Sequence, residues 1–343
     1  MKNRLCDYFV TVGAHAFVLL LLLLPVPAAA APYTAPGNKV LWGGQGGYTA
    51  GHIRDFARQS GKHPAVYNYF IEWKANDPTF HWLGFRLQDA KDQGSRAMLS
   101  VETSGTGISN AELANGAGDT FLVRMNGLIA DHGEVVYFRP LSEMNNGNNP
   151  YSAYDLSGRS RGPAFSTREF KRAWRRLALI LRGGPVETID AKLRRLGMPP
   201  VRTGAGELPR PKVALMWVPL SFGNPEMAKN HPKHWWPGAR YVDWVGTTWY
   251  SPYRAGSAMD RMYRFPLWRR KPFVFAEWGV WGADAPGFVN QFFSFLRSHP
   301  RVRMAVYYQS AALKAEFRLS THPATRAALR RAVKWRRLTG VAP

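Results

Sequence analysis

The 343-residue chain contains a single cysteine, Cys6. No intrachain disulfide can form, and thiolate nucleophiles, iron–sulfur clusters and cysteine-ligated zinc are excluded for everything downstream of it. Stability must therefore come from core burial. Acidic residues are scarce as well, with 23 Asp and Glu set against 46 Lys and Arg for a formal charge of +23. Such a surplus favours anionic surroundings. The basic residues are nevertheless dispersed, with local concentrations at 172–182, 261–271 and 326–337. None of these runs into heptads, a zinc-finger spacing or an aromatic RNA-binding signature, so no nucleic-acid partner is expected. Arginine-rich helix faces read first as solvated exteriors, with an anionic glycan or cell-envelope surface as the alternative partner. Internal repeats and low-complexity tracts are also missing.

No apolar run reaches the roughly 20 residues needed to span a bilayer. The longest, 16–24, follows Lys2 and Arg4 and is succeeded by Pro25 and the alanines of 28–31. That order of charge, apolar stretch and small residues is the pattern of a cleaved secretory signal. The expectation is a secreted protein whose mature part, 32–343, is one domain. Removing Lys2, Arg4 and Asp7 with the signal leaves 44 basic and 22 acidic residues, a formal +22.

In the mature part, short runs of β-branched and aromatic residues alternate with helical patterns, the mark of βα units around a parallel sheet. Eight strands are expected at 40–43, 65–71, 97–102, 135–141, 213–219, 242–250, 273–278 and 303–309. Several are almost wholly apolar, as strands buried on both faces should be. Apolar residues at helical spacing mark 120–131 and 166–182, and later outer helices fall at 287–298 and 323–334. The fold expected is a (β/α)8 TIM barrel. A Gly/Pro-punctuated insertion at about 183–210, with a short helix at 189–196, falls on the fourth connection.

In such a barrel, functional side chains come from the C-terminal ends of the strands, which share one rim. Glu72 and Trp73, Glu102, Glu143, Tyr250, Glu277 and Tyr307 fall at those ends. Hydrolysis of a glycosidic bond with retention needs two neighbouring carboxyl groups, one to protonate the leaving oxygen and one to attack the anomeric carbon. Glu143 and Glu277 are the best pair, although for either alone an ion-paired or capping role is equally open. Aromatic residues make up 13% of the chain, enough to line a sugar cleft as well as fill a core. Trp73, Trp249, Trp278 and Tyr307 are the candidates for stacking on pyranose rings, with core packing as the competing role. The loop 145–157, rich in Asn and Tyr, suits hydroxyl recognition. Two weaker patterns carry less. Gly43-Gly44-Gln45-Gly46-Gly47 lacks the spacing of a dinucleotide-binding turn, and His231 with His234 has no third ligand nearby, so neither cofactor nor metal is expected.

The segment Arg139-Pro140-Leu141-Ser142-Glu143-Met144-Asn145-Asn146-Gly147 resembles the acid/base signature of glycoside hydrolase family 26, the β-mannanase family of the large retaining (β/α)8 clan. Trp236-Pro237-Gly238, with Tyr241-Val242-Asp243-Trp244-Val245-Gly246, is similar to the family's entry to strand 6. Lys271-Pro272, running on to Ala276-Glu277-Trp278-Gly279, is similar to its nucleophile strand. With Leu99 to Glu102 and Trp217 to Pro219, the likeness covers almost the whole mature chain. It implies Glu143 as acid/base, Glu277 as nucleophile, Tyr250 as a hydrogen-bond donor to the nucleophile and Arg139 as the arginine beneath it. Glu102 and Asn145, with the aromatics named above, become candidates for substrate binding.

Two departures bear on specificity. Ser142 stands where family members usually have His, and Leu220 where Asn is common, so contacts to the sugar at the cleavage site must differ. The resemblance thus implies a secreted retaining β-glycosidase acting on a polysaccharide, endo-β-1,4-mannanase-like, without cofactor or metal. The competing reading is a non-catalytic carbohydrate-binding or envelope-glycan protein on the same barrel, which the two departures motivate and the retained carboxylate pair opposes.

Overall fold

The computed structural model describes residues 33–253, 256–310 and 314–343. The expected signal segment lies outside them. Among the described residues no helix is long and apolar enough to cross a membrane.

All eight expected strands form, within a few residues of the expected bounds. They are β1 (Val40–Gln45), β2 (Val66–Glu72), β3 (Arg96–Glu102), β4 (Val136–Pro140), β5 (Val213–Trp217), β6 (Trp244–Tyr250), β7 (Phe273–Gly279) and β8 (Val302–Tyr308). Each pairs in parallel with the next, and β8 returns to β1 through Leu41↔Met304 to Gln45↔Tyr308, which closes the barrel. A two-residue strand, Leu338–Thr339, adds to the start of β1. The TIM barrel expected from the alternation is the fold observed.

The outer layer holds α1 (Ala50–Ser60), α2 (Asp77–Asp92), the single-turn α3 (Asn110–Ala114), α4 (Asp119–His132), α5 (Thr167–Arg182), α6 (Val186–Arg195), α7 (Gly256–Arg264), α8 (Pro286–Ser298) and α9 (Pro323–Ala332). Helix α5 shows how local sequence sets these elements. Ser166 caps it by accepting from the backbone N–H of Glu169, and Phe170, Ala173, Trp174, Leu177, Ala178 and Leu181 give it a continuous buried face. The insertion at 183–210 is compact. It consists of α6 and an antiparallel pair, Gly184–Pro185 with Glu207–Leu208.

That insertion is clamped by an arginine the sequence reading had placed on a solvated face. Arg176 is fully buried on α5; its Nε donates to Asp119 Oδ1 at 2.7 Å, and its remaining nitrogens reach the carbonyls of Pro199 and Pro200, both at 2.8 Å. A bidentate guanidinium–carboxylate pair supplies both the charge balance and the directional hydrogen bonds that burial demands.

Apolar side chains fill two separate regions. Inside the barrel, Leu41, Val66, Met98, Tyr137, Met216, Trp244, Val274, Met304 and Val306 form a plug. Between strands and helices lies a larger layer in which aromatic rings dominate around β6, β7 and α8: Trp278 stacks on Phe292 with centroids 3.7 Å apart, and Phe275 packs edge-on to the same ring at 4.9 Å. Phe292→Ala should cost about 3–5 kcal/mol, measured by urea unfolding. A loss below about 1 kcal/mol would show that this layer is not the core of the outer barrel.

Candidate active site

Above the apolar plug the barrel interior turns polar, because alternation along a strand carries the same inward face from one layer to the next. On β2 that face runs Val66, Asn68; on β3, Met98, Ser100, Glu102; on β4, Tyr137, Arg139. Asn68, Ser100 and Arg139 are fully buried and linked: Ser100 donates to Asn68 Oδ1 at 2.8 Å, and Arg139 Nη1 donates to Ser100 Oγ at 3.3 Å. The same Nη1 makes an ion pair with Glu277 Oε1.

Strict alternation on β7 would turn Glu277 outward, since Val274 and Ala276 already face the interior plug. A bulge resolves this. Pairing with β6 steps from Thr247↔Phe275 to Thr248↔Glu277, and pairing with β8 skips at the same point. The extra residue lets both Ala276 and Glu277 face inward, a use of bulges common beside active sites. Glu277 is 8% exposed and also accepts from Tyr250 Oη at 2.5 Å. Burial, then the neighbouring Glu277 charge, keeps the Tyr250 phenol well above its usual range, so it stays a donor.

Glu143 lies just beyond β4 in a strained turn. Leu141 has φ of 47° and Glu143 of 49°, left-handed values that cost side-chain-bearing residues energy and that cluster at functional sites. The turn is pinned on several sides. Glu143 N donates to Val218 O at 2.7 Å, Asn149 Nδ2 to the carbonyls of Ser142 and Glu143 at 3.1 and 2.9 Å, and Tyr151 Oη to Ser142 O at 2.6 Å. The Glu143 carboxylate accepts from Thr248 Oγ1 at 2.7 Å and Asn146 Nδ2 at 3.0 Å. Burial and the Glu277 charge raise its carboxyl above the ordinary range, against the opposing pull of Arg139 and the two hydrogen bonds. Arg139 feels the converse: burial draws its guanidinium down, and the charges of Glu277, Glu143 and Glu102 more than reverse this.

Glu143 opens onto a cleft of about 430 Å³ shared with Asn146, Phe222, Asn224, Thr248, Tyr250, Tyr253 and Trp281. Tyr253 and Trp281 are both well exposed, and Trp281 packs edge-on to Tyr250 at 6.0 Å and against Phe317 at 5.3 Å, giving the cleft one aromatic wall.

The structure thus brings together Arg139, Glu143, Tyr250, Glu277 and Glu102, with Ser142 beneath, and corrects several other placements. Trp73, Trp278 and Tyr307 do not face the cleft: Trp73 packs on Phe121 of α4 at 4.9 Å, and Trp278 lies between Phe292 and Tyr307. Trp249 borders the cleft, but its ring is 2% exposed among Phe275, Phe288 and Phe295, and its indole N–H donates to Tyr253 O at 3.0 Å. Asn145 is fully buried, with its side-chain amide spent on the backbone of Leu220, donating at 3.0 Å and accepting at 2.8 Å. It braces the loop after β5 and cannot reach a substrate; the next residue, Asn146, does face the cleft. Ser142 is 3% exposed, its hydroxyl 3.5 Å from Glu102 Oε1. His231 Nδ1 accepts from the backbone N–H of Lys233 at 3.1 Å, a local cap.

Sequence reading missed Thr248, Tyr308 and Trp281, whereas Asn146 belongs to the loop expected to meet hydroxyl groups and lines the cleft. Thr248 could have been found from parity, being two residues before Tyr250 on one strand. Tyr308, not Tyr307, packs edge-on to Tyr250 at 5.6 Å; adjacent tyrosines gave no means of choosing the inward one.

Glu102 provides a test of the site's electrostatics. Burial first, then the charges of Glu277 and Glu143, push its carboxyl up to about 7, against the pull of Arg139 and Ser142. The native state therefore holds this proton more tightly than the unfolded chain does, and the stability so gained is full below about pH 4.5 and lost as pH rises through 7. Glu102→Gln should remove that decline, flattening the stability-versus-pH curve by up to about 3 kcal/mol, read by chemical unfolding from pH 4 to 8. Parallel curves for the two proteins would contradict this account of the site.

No family model and no curated protein matches the chain. Solved structures do. A modular endo-β-1,4-mannanase from Cellulomonas fimi matches with a TM-score of 0.60 and 16% identity, over 89% of this chain and 75% of that one. A family 26 β-mannanase from Bacteroides ovatus matches at 0.59 and 15%, over 89% and 91%. A family 26 protein from a Muricauda species matches at 0.58 and 14%, over 88% and 91%. At such identities the likeness is one of architecture, and it extends over nearly the whole described chain: this protein is built on the same (β/α)8 barrel as the family 26 glycoside hydrolases.

Proposed function

We propose that this chain is a secreted retaining β-glycoside hydrolase that cleaves a polysaccharide, with β-1,4-mannan the first substrate to test. The observation that carries the reading is the unequal treatment of two carboxylates in one site. Glu277 is paired with the buried Arg139 guanidinium and the Tyr250 phenol, whereas Glu143 has hydroxyl and amide partners and a raised carboxyl. A carboxylate held by a cation and a phenol, beside a second one whose proton is favoured, suits the roles of nucleophile and acid. The shared barrel supports the reaction class, and its solved examples include proteins described as β-mannanases.

In the first step Glu277 attacks the anomeric carbon, the bond to the leaving oxygen breaks, and Glu143 gives that oxygen its proton. Esterification removes the charge on Glu277 that had raised Glu143, so the Glu143 carboxyl becomes more acidic and remains ionised. It then takes a proton from water as that water attacks the anomeric carbon, the ester bond breaks and Glu277 recovers its charge. Before the attack and after hydrolysis, Tyr250 and Arg139 hold the Glu277 carboxylate by its two oxygens.

The basic surplus supports an acidic or envelope-associated glycan as a further partner, since 318–343 carries Arg318, Arg326, Arg330, Arg331, Lys334, Arg336 and Arg337 without one acid.

The deciding experiment is reducing-sugar release by the protein from 32 onward across mannans, mixed-linkage glucans, xylans and acidic exopolysaccharides. Activity should vanish in Glu277→Ala, and Glu143→Ala should lose about 10²- to 10⁴-fold on unactivated substrates. A 2-deoxy-2-fluoro glycoside of the matching sugar should label Glu277, seen by peptide mass. Silence of a folded protein on every glycan would refute hydrolysis and leave a carbohydrate-binding barrel. Intact export without removal of the leading segment, seen by N-terminal sequencing, would refute the cleaved signal.

A further inference from the structure

Helix α2 buries Phe80, Leu83, Leu87 and Ala90 against the barrel, and that set alone makes it an outer helix. Its opposite face carries two large aromatic residues that the fold does not use. Trp82 is 59% exposed and Phe85 53% exposed. With His81 they form a cluster at the surface: His81 meets Trp82 at 5.8 Å and Phe85 at 4.8 Å, Trp82 meets Phe85 at 5.9 Å, and neither Trp82 nor Phe85 makes a ring contact outside this cluster among the described residues. Between them stands Gly84, a poor helix former. A Cβ added there would meet nothing, so packing does not require the glycine.

Tyr308 packs on Tyr250, the donor to Glu277, and pairs with Gln45 at the end of β1, from which the loop bearing Tyr48 leaves. The Arg86 guanidinium lies over the Tyr48 ring at 4.5 Å, and Phe85 is the next residue along α2.

The chemistry of the patch narrows its occupant. Each aromatic side chain can cover at most about 250 Å². Two of them fall short of the roughly 800 Å² per partner of a stable protein interface. In a chain of strongly positive charge α2 runs the other way, with Asp77, Asp89 and Asp92 against Arg86 and Lys91, which disfavours anionic bilayers and polyanions. Flat rings bordered by His81, Arg86 and Gln88 suit the apolar faces and hydroxyls of neutral pyranose units.

We propose that the Trp82–Phe85 face of α2 is a second glycan-binding site, a platform outside the cleft that takes a neutral β-linked polysaccharide chain passing over Tyr48. The proposal rests on the reading of the cleft as a polysaccharide site.

The test is native electrophoresis through gels containing soluble galactomannan or mixed-linkage β-glucan, with hydrolysis of the same polymer and of a short manno-oligosaccharide followed in parallel. Wild-type protein should be retarded by one of the polymers. Trp82→Ala/Phe85→Ala should lose at least about fivefold in that retardation and in rate on dilute polymer, at unchanged kcat on the short substrate. Trp82→Tyr, which keeps a ring, should retain most of the effect, and equal melting temperatures confirm intact folding. Unchanged retardation in the double variant, no retardation of wild type by either neutral polymer, or a dimer that the double variant abolishes would each overturn the proposal. Retardation that depends on Trp82 and Phe85 in a protein that hydrolyses nothing would uphold the platform while refuting the catalytic reading.

Discussion

A guanidinium inside a barrel must be neutralised, and for Arg139 the ion-pair partner is Glu277. Taking either group out of water alone carries a penalty of several kcal/mol, and deleting one member of such a pair leaves the other charged and buried. The pair therefore fixes more than itself. Arg139 can lie under the rim because Ser100 and Asn68 extend polar partners below it, and those residues form the boundary at which the apolar plug ends. Glu277 can face inward because β7 bulges. Moving either charge would require a different interior for four strands.

The second carboxylate is held by backbone instead of charge. Two left-handed non-glycine residues, Leu141 and Glu143, on either side of Ser142, turn the chain sharply at the end of β4. Such a turn persists only when its surroundings over-determine it. Here Asn149, Tyr151 and Val218 hold its carbonyls and amide, while Asn145 joins it to the loop after β5 through Leu220. Gly147 belongs to the same brace, since a Cβ there would stand 2.7 Å from the backbone of Asp155. The Asn-rich segment that reads as a hydroxyl-recognition loop is mostly devoted to building the turn, with Asn146 alone among its first residues turned to the Glu143 carboxylate.

This division explains what was legible from the amino acids. The eight strands were, because residues buried on both faces leave unbroken apolar runs, and the rim carboxylates followed from strand ends. Side-chain direction was not. The bulge at Ala276 breaks the alternation that would have told Glu277 from Trp278, and the Trp, Tyr and Phe content serves the helix-facing layer of β6, β7 and α8 as readily as a cleft. Helix α2 was illegible for a different reason: its buried positions follow helical spacing, but Trp82 and Phe85 set large apolar rings on its outer face as well, which blurs the contrast between the two faces. Helix α1 has only Ile53, Phe56 and Ser60 buried, and so offers a short signal.

Those two kinds of failure have different meanings. Where alternation fails at Ala276, the barrel has given up regular pairing to aim a carboxylate, and the cost is repaid locally by the ion pair. Where amphipathicity fails on α2, no ring contact beyond the cluster of Trp82, Phe85 and His81 repays it among the described residues, and Gly84 weakens the helix without relieving any clash. A departure from local pattern that the packing explains belongs to the architecture. One that packing leaves without return points outward, to whatever the protein meets in solution, and on this barrel the helix that bears it touches the loop after β1 through Arg86 on Tyr48.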